Sequence, residues 1–144
     1  MPVNGEWDLR DHYQKFNTDD IDGFMALFAS HAVYRQRDTH RTAVGTDQIR
    51  GFLASWDVYF EGAHIVDIQI KLEPHRVRLQ PGATECYRVN SIGVGRYVRT
   101  LPGLKGIADA HGNEVRVPTA EIVWFGAAGK IIRVDQTMNI AALQ

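Results

Sequence analysis

Near residue 62 the spacing of apolar side chains changes from steps of three and four to steps of two, and this change limits the fold more than any other feature of the chain. Before it, Leu9, His12, Tyr13 and Phe16 recur at i, i+3, i+4 and i+7, the spacing of one helical face. Asn17 and Thr18 interrupt that face. Asp19 and Asp20 stand where carboxylates cap free N–H groups, and a second helix with the core face Ile21, Phe24, Met25 and Phe28 is predicted to follow. Residues 32–36 read as extended. A third helix is predicted from Thr46 as N-cap through Ile49, Phe52, Leu53, Trp56 and Phe60, ending at Gly62. Beyond it, β-branched residues and alternation predict strands at 64–72, 76–79, 83–98, 114–125 and 130–138. Pro74, the Gln80-Pro81-Gly82 run, the 101–113 connection and the Gly126-Ala127-Ala128-Gly129 turn separate them. The predicted fold is α+β: a strongly curved, mostly antiparallel sheet closed by three N-terminal helices into a cone-shaped barrel around a central pocket.

At 144 residues the chain suits a single domain over 1–144, with room for one core and one pocket. Sixteen Lys and Arg against seventeen Asp and Glu give a net charge of −1, so nucleic-acid binding, which needs a basic excess to neutralise phosphates, is not expected. No apolar run approaches the roughly 18 to 20 residues of a membrane span, and the start MPVNGEWDLRDHYQ lacks the basic and apolar stretches of a signal peptide. A cytoplasmic protein without membrane contact is therefore expected. One cysteine, Cys86, can form no internal disulfide and no Cys-based zinc site. His31, His40, His75 and His111 share no metal-ligand spacing, and neither metal nor cofactor is expected.

Three stretches, FNTDDIDGFMALFASHAVYRQ, VGTDQIRGFLASW and AEIVWFGAAGKIIRVDQTMN, resemble the opening helix pair and first strand, the third helix, and the final hairpin of the nuclear transport factor 2-like superfamily. That superfamily includes SnoaL-like polyketide cyclases, ketosteroid isomerases, scytalone dehydratase and limonene epoxide hydrolase. The resemblance spans nearly the whole chain and implies the fold more than the chemistry, because one cone hosts many reactions and inert binding modules. It also implies the phase of each strand. Tyr34 and Gln36, then Cys86, Arg88 and Asn90, then Thr119, Glu121, Val123 and Phe125, and last Val134, Gln136 and Met138 are expected inside, with Arg133 and Asp135 outside.

Residue-by-residue comparison then implies a site. Tyr34-Arg35-Gln36 and Arg88-Val89-Asn90 are similar to the Tyr-x-Asn and Arg-x-Asp of the epoxide hydrolases, with Gln136 at their second Asp. Amides at both carboxylate positions disfavour that mechanism, since an amide neither takes a proton from water nor protonates an epoxide oxygen. Against ketosteroid isomerases, Gln36 stands at the general base and His12 at the oxyanion-holding Tyr, while Glu121 falls at the Asp that stays protonated. Glu121 is the leading catalytic candidate, with His64 and Asp38 as rivals; the ion pair Glu121–Arg88 is the plainer alternative. His64 equally suits a strand-start cap, and His12 a core position. Tyr34, Gln36, Trp56, Arg88, Asn90, Phe125, Gln136 and Met138 are the substrate-binding candidates. Trp56, Tyr59 and Phe60 equally suit plain core packing.

Three functions follow, two of them the main readings. One is a cofactor-free enzyme of secondary metabolism that performs ring closure, isomerisation or dehydration on a small, largely apolar or aromatic polyketide-type substrate. The other is a non-catalytic binding or dimerisation module, and an epoxide-opening hydrolase with an altered acid set remains as a third reading. A homodimer through the outer sheet face is expected by analogy. The 101–113 connection is long enough to be a lid.

Overall fold

The computed structural model describes residues 5–99 and 112–139. Helix α1 is Gly5–Asn17, α2 is Ile21–Met25, and strand β1, Phe28–Gln36, turns into β2, Arg41–Val44. Helix α3, Thr46–Tyr59, leads directly into β3, Phe60–Leu72. A 3-10 turn at Pro74–Leu79 precedes β4, Ala83–Tyr97, and β5, Glu114–Gly126, and β6, Ile131–Met138, complete the order. The six strands form one sheet in the order β2-β1-β6-β5-β4-β3. Every neighbouring pair is antiparallel except β1 and β6, so the first and last strands meet in parallel near its middle.

The α+β prediction holds, with one qualification. The sheet does not close on itself: β2 and β3 remain as its two edges, and α1 and α3 pack across the inner face. From α1 come Leu9, His12 and Tyr13, as the helical spacing predicted, and from α3 Ile49, Phe52 and Leu53. They meet Tyr34, Tyr87, Val89, Val123, Phe125 and Val134 in one apolar cluster. Each large apolar side chain buried there contributes about 1.5–3 kcal/mol. At the β3 edge the Asn17 side chain substitutes for a missing neighbour strand: its Nδ2 donates to Ile65 O and its Oδ1 accepts from Ile65 N, both at 2.7 Å. An edge so occupied is less open to another chain.

Local departures from the predicted elements have local causes. Asp20 caps α2 as expected, accepting from Gly23 N at 2.9 Å, but the helix ends at Met25 and Phe28 belongs to β1. Gly45, at φ 83°, rather than Thr46 precedes α3, because the sharp entry needs a left-handed residue. Gly62 lies within β3, beside a bulge between Glu61 and His64. Residues 76–79 are not a strand; Pro74 starts a 3-10 turn there, and Trp124 Nε1 holds it to the outer face by donating to Arg76 O at 2.8 Å. Strand β2 was not predicted at all.

The largest correction concerns β4. Tyr87, Val89 and Ser91 face inward, and Cys86, Arg88 and Asn90 face outward. Cys86 is buried where the 3-10 turn packs on the outer side, Arg88 Nε pairs with Glu73 Oε1 at 2.9 Å, and Asn90 is exposed. The 101–113 connection, read above as a candidate lid, lies almost wholly outside the described residues.

Candidate active site

Between the helices and the inner face of the sheet lies a cavity of about 110 Å³. Helix α1 contributes Tyr13 and Phe16, α3 Leu53 and Trp56, β1 Tyr34, β4 Ser91 and Gly93, β5 Val117, Thr119 and Glu121, and β6 Gln136 and Met138. Strand alternation explains the β5 and β6 members, since every second residue points the same way. His64 stands on the wall contributed by β3. Most of the wall is apolar, and among the described residues it holds one carboxyl.

That carboxyl is Glu121, 5% exposed, and both of its oxygens accept from tyrosines. Tyr13 Oη donates to Oε1 and Tyr34 Oη to Oε2, each at 2.8 Å. Gln136 Nε2 in turn donates to Tyr34 Oη at 2.8 Å. Burial disfavours the charged carboxylate and raises the Glu121 pKa, while the donors from Tyr34, Tyr13 and Gln136 oppose the rise. Burial and the nearby carboxylate also push both tyrosines well above their ordinary range, so they remain protonated donors. The network is neutral except for the carboxyl itself.

His12, beside Tyr13 on α1, adds no positive charge. Its Nδ1–H donates to Phe24 O at 2.9 Å and its ring stacks on Phe24 at 3.7 Å between centroids. Burial lowers its pKa to about 3, leaving it a neutral core group that braces Tyr13 edge-on. Of its two sequence readings, the core position is the one it occupies.

The other sequence candidates separate clearly. Tyr34, Trp56, Gln136 and Met138 line the cavity with Glu121. Phe125 is buried in the core rather than in the cavity wall. Gln36 points inward and is fully buried, but its Oε1 accepts from Thr39 N and Thr39 Oγ1 at 2.7 and 2.8 Å and its Nε2 donates to Asp38 Oδ2 at 3.0 Å. Asp38 Oδ2 also accepts from Met138 N at 2.7 Å. Both therefore serve the β1–β2 turn, and Asp38 does not reach the cavity. His64 borders the cavity, and its Nδ1 is hydrogen-bonded to Gly62 O at 2.8 Å across the bulge within β3 rather than at a strand start. Arg88 and Asn90 lie on the opposite side of the sheet from Glu121, which rules out the Glu121–Arg88 ion pair.

Tyr13 is the participant that sequence reasoning missed as a site residue. Its signal was a phenol on the inner face of an amphipathic helix, one position after the His12 that alignment placed at the oxyanion-holding Tyr. Among the described residues, no three His, Cys, Asp or Glu side chains lie together as a metal would require.

Known proteins place this geometry in context. No curated protein matches the sequence. Among solved structures, a candidate polyketide cyclase from Xanthomonas campestris pv. campestris is 19% identical with a TM-score of 0.75, covering 97% of this chain and 96% of its own. A candidate polyketide cyclase from Pseudomonas putida KT2440 gives 16% and 0.76, with 98% and 96% covered. A hypothetical protein with a ketosteroid isomerase-like fold from Catenulispora acidiphila, solved with trimethylamine, gives 18% and 0.63, with 90% and 82% covered. At such identities these likenesses carry the fold alone. The family model described as the SnoaL-like domain matches residues 9–134, and with the helices, sheet and cavity described above it shows that the chain belongs to the SnoaL-like domain family.

Proposed function

We propose that the protein is a cofactor-free enzyme of secondary metabolism, a cyclase, isomerase or dehydratase, that moves a proton through Glu121 on a largely apolar polyketide-type substrate. The observation that carries this reading is a buried carboxyl, open to a largely apolar cavity, whose partners are two phenols, one of them held by an amide, rather than a cation. A guanidinium would fix the carboxylate as an anion. Neutral donors leave it able to gain and lose a proton nearer neutrality.

In the proposed cycle, the Glu121 carboxylate takes a proton from the carbon beside a carbonyl, and the C–H electron pair moves into the enolate. As charge leaves the carboxylate, the Tyr13 and Tyr34 hydroxyls turn from it toward the enolate oxygen, where charge has appeared. Glu121 then returns its proton to another carbon for isomerisation, or to a departing hydroxyl for dehydration. For ring closure the enolate carbon attacks a second carbonyl of the same molecule, and Glu121 protonates the resulting alkoxide. Trp56, Leu53, Val117 and Met138 keep bulk water from the intermediate.

Glu121→Gln tests this. On enolisable bicyclic ketones and poly-β-ketone substrates, turnover is expected to fall about 10² to 10⁴-fold while ring binding changes only a few-fold. Undiminished turnover would remove Glu121 from the chemistry and favour the binding-module reading. Among the described residues Glu121 is the sole carboxyl in the cavity wall, which favours single-acid chemistry over two-acid epoxide opening. The same proposal places the enzyme in the cytoplasm, as cell fractionation would test. It also pairs two copies across the outer face around Asn90, Ile92, Pro118 and Thr137, where the sheet is concave enough to receive side chains. Light scattering on the purified protein reads that dimer directly.

A further inference from the structure

Ser91 is buried, at 6% exposure, and is the exception among the buried polar residues. His12, Gln36 and Glu121 are all hydrogen-bonded, whereas the Ser91 hydroxyl has no hydrogen-bond partner among the described residues. Among the described residues the buried side-chain polar atom without a partner is Gln136 Oε1, and the Ser91 hydroxyl differs from it in opening onto accessible space, where a guest can reach it. Ser91 lies on the inner face of β4, in the cavity wall, opposite Thr119 of β5. The Thr119 hydroxyl already donates to Val117 O at 3.1 Å, so the uncommitted hydroxyl proton of this pair belongs to Ser91.

Two residues along the same face is Gly93, also in the wall. Glycine inside a strand weakens it, so this position needs a cause. Its backbone is not in the left-handed region, and a Cβ there would meet Val117 O at 3.8 Å and Thr119 Oγ1 at 4.0 Å, ordinary contacts. The next inward glycine, Gly95, differs: a Cβ would press on Phe60 Cβ at 3.2 Å and Glu61 O at 3.3 Å. Packing accounts for Gly95. At Gly93 a side chain would fit, and its absence lowers the wall beside a free donor.

We propose that Ser91 and Gly93 form a second subsite, which receives a hydrogen-bond-accepting oxygen at the end of the substrate remote from Glu121. This rests on the reading of the cavity as the substrate site and narrows the substrate class. Ser91 and Glu121 are diagonal neighbours on adjacent strands, with Cα atoms about 7–8 Å apart. A flat molecule of two fused rings, oxygenated at opposite ends, spans that separation. Its reacting end meets Glu121, its far oxygen accepts from Ser91, and its outer ring edge lies over Gly93.

The test uses two probes that differ only at the far end, 2-naphthol and 6-methoxy-2-naphthol, titrated by calorimetry. Wild type is expected to bind the methoxy compound about five- to tenfold more tightly, the return on one hydrogen bond. Ser91→Ala equalises the two, and Gly93→Val weakens the methoxy compound more than the naphthol. Without ligand, Ser91→Ala melts within about 1–2 °C of wild type, because the hydroxyl it removes bonds no other described residue. Glu121→Gln shifts both probes alike and preserves the preference. A preference that survives Ser91→Ala, or a melting temperature lowered by more than about 4 °C in that variant, which would mean that the hydroxyl is already bonded within the fold, overturns the subsite while leaving the acid site intact. Failure of wild type to bind either probe at millimolar concentration overturns the subsite and the cavity reading together.

Discussion

Glu121 and Glu73 lie on opposite sides of one sheet and show how a partner decides what a carboxyl can do. Glu73 accepts from Arg88 Nε at 2.9 Å, and that guanidinium holds its pKa below the ordinary carboxylate range. Glu121 accepts from two phenols, and burial pushes its pKa up. One is fixed as an anion that fastens the start of the 3-10 turn to β4. The other keeps a usable proton equilibrium. The outer face repeats the first arrangement in Arg133–Asp135 at 3.0 Å and Arg116–Asp67 at 3.5 Å, whereas the cavity wall holds no lysine or arginine among the described residues.

The sharpest way to break this contrast is to give the inner carboxyl an outer-face partner. Gln136→Lys places an ammonium beside Glu121 and Tyr34, and turnover is expected to fall about a hundredfold or more. Carbon-detected NMR titration should then show Glu121 ionising below its ordinary range, as Glu73 does.

A smaller effect tests the neutrality of the inner face through His12. Its folded pKa of about 3 lies below the unfolded value of 6.5, so the unfolded chain binds more protons between those values. Stability from this group is complete above pH 6.5 and falls as the pH drops toward 3. Between pH 7 and pH 5 the loss is roughly 2 kcal/mol. Urea unfolding of His12→Asn at the two pH values should lack that increment, since the amide can still donate to Phe24 O without titrating.

Effects of similar size or smaller come from removing one partner on each face. Tyr34→Phe leaves Glu121 Oε2 and the Gln136 amide without their shared hydroxyl, at a cost of about 1–3 kcal/mol. Arg88→Met is expected to lower the melting temperature less than Tyr34→Phe does, with the deficit shrinking at high salt and turnover unchanged. Comparable losses from the two variants would erase the distinction between the faces.

The legible part of the fold was whatever repeated locally. Leu9, His12 and Tyr13 identified the inner face of α1, and alternation along β5 and β6, with its phase taken from the resemblance, correctly turned Glu121, Gln136 and Met138 inward. In β4 the phase taken from resemblance was one residue off, although Tyr87 and Val89 alternating with Arg88 and Asn90 carried the opposite, correct phase in their own polarity. The short β2 had too few residues to show a pattern against its turn. Partnerships were illegible for a different reason. Tyr13 and Glu121 are 108 residues apart, and nothing local records which helical residue will rotate to face which strand residue. Gln36 shows the converse: its inward direction was readable, but its capture by Asp38 and Thr39 depended on the conformation of one turn.

The parallel pairing of β1 with β6 has a consequence for how the protein is born. Strand β6 lies between β1 and β5, so two strands separated by most of the chain acquire a common neighbour only when the last described strand arrives. Gln136 pairs with Gln36 on one side and Glu121 on the other. Until residues 131–138 are in place, β1 and β5 have no strand to join them, and Glu121 lacks the neighbour that carries Gln136. Such long-range closure is slow compared with local helix formation. The setting that raises the Glu121 pKa is therefore complete only when the two ends of the described fold have met, since Tyr13 and Tyr34 come from one and Gln136 from the other.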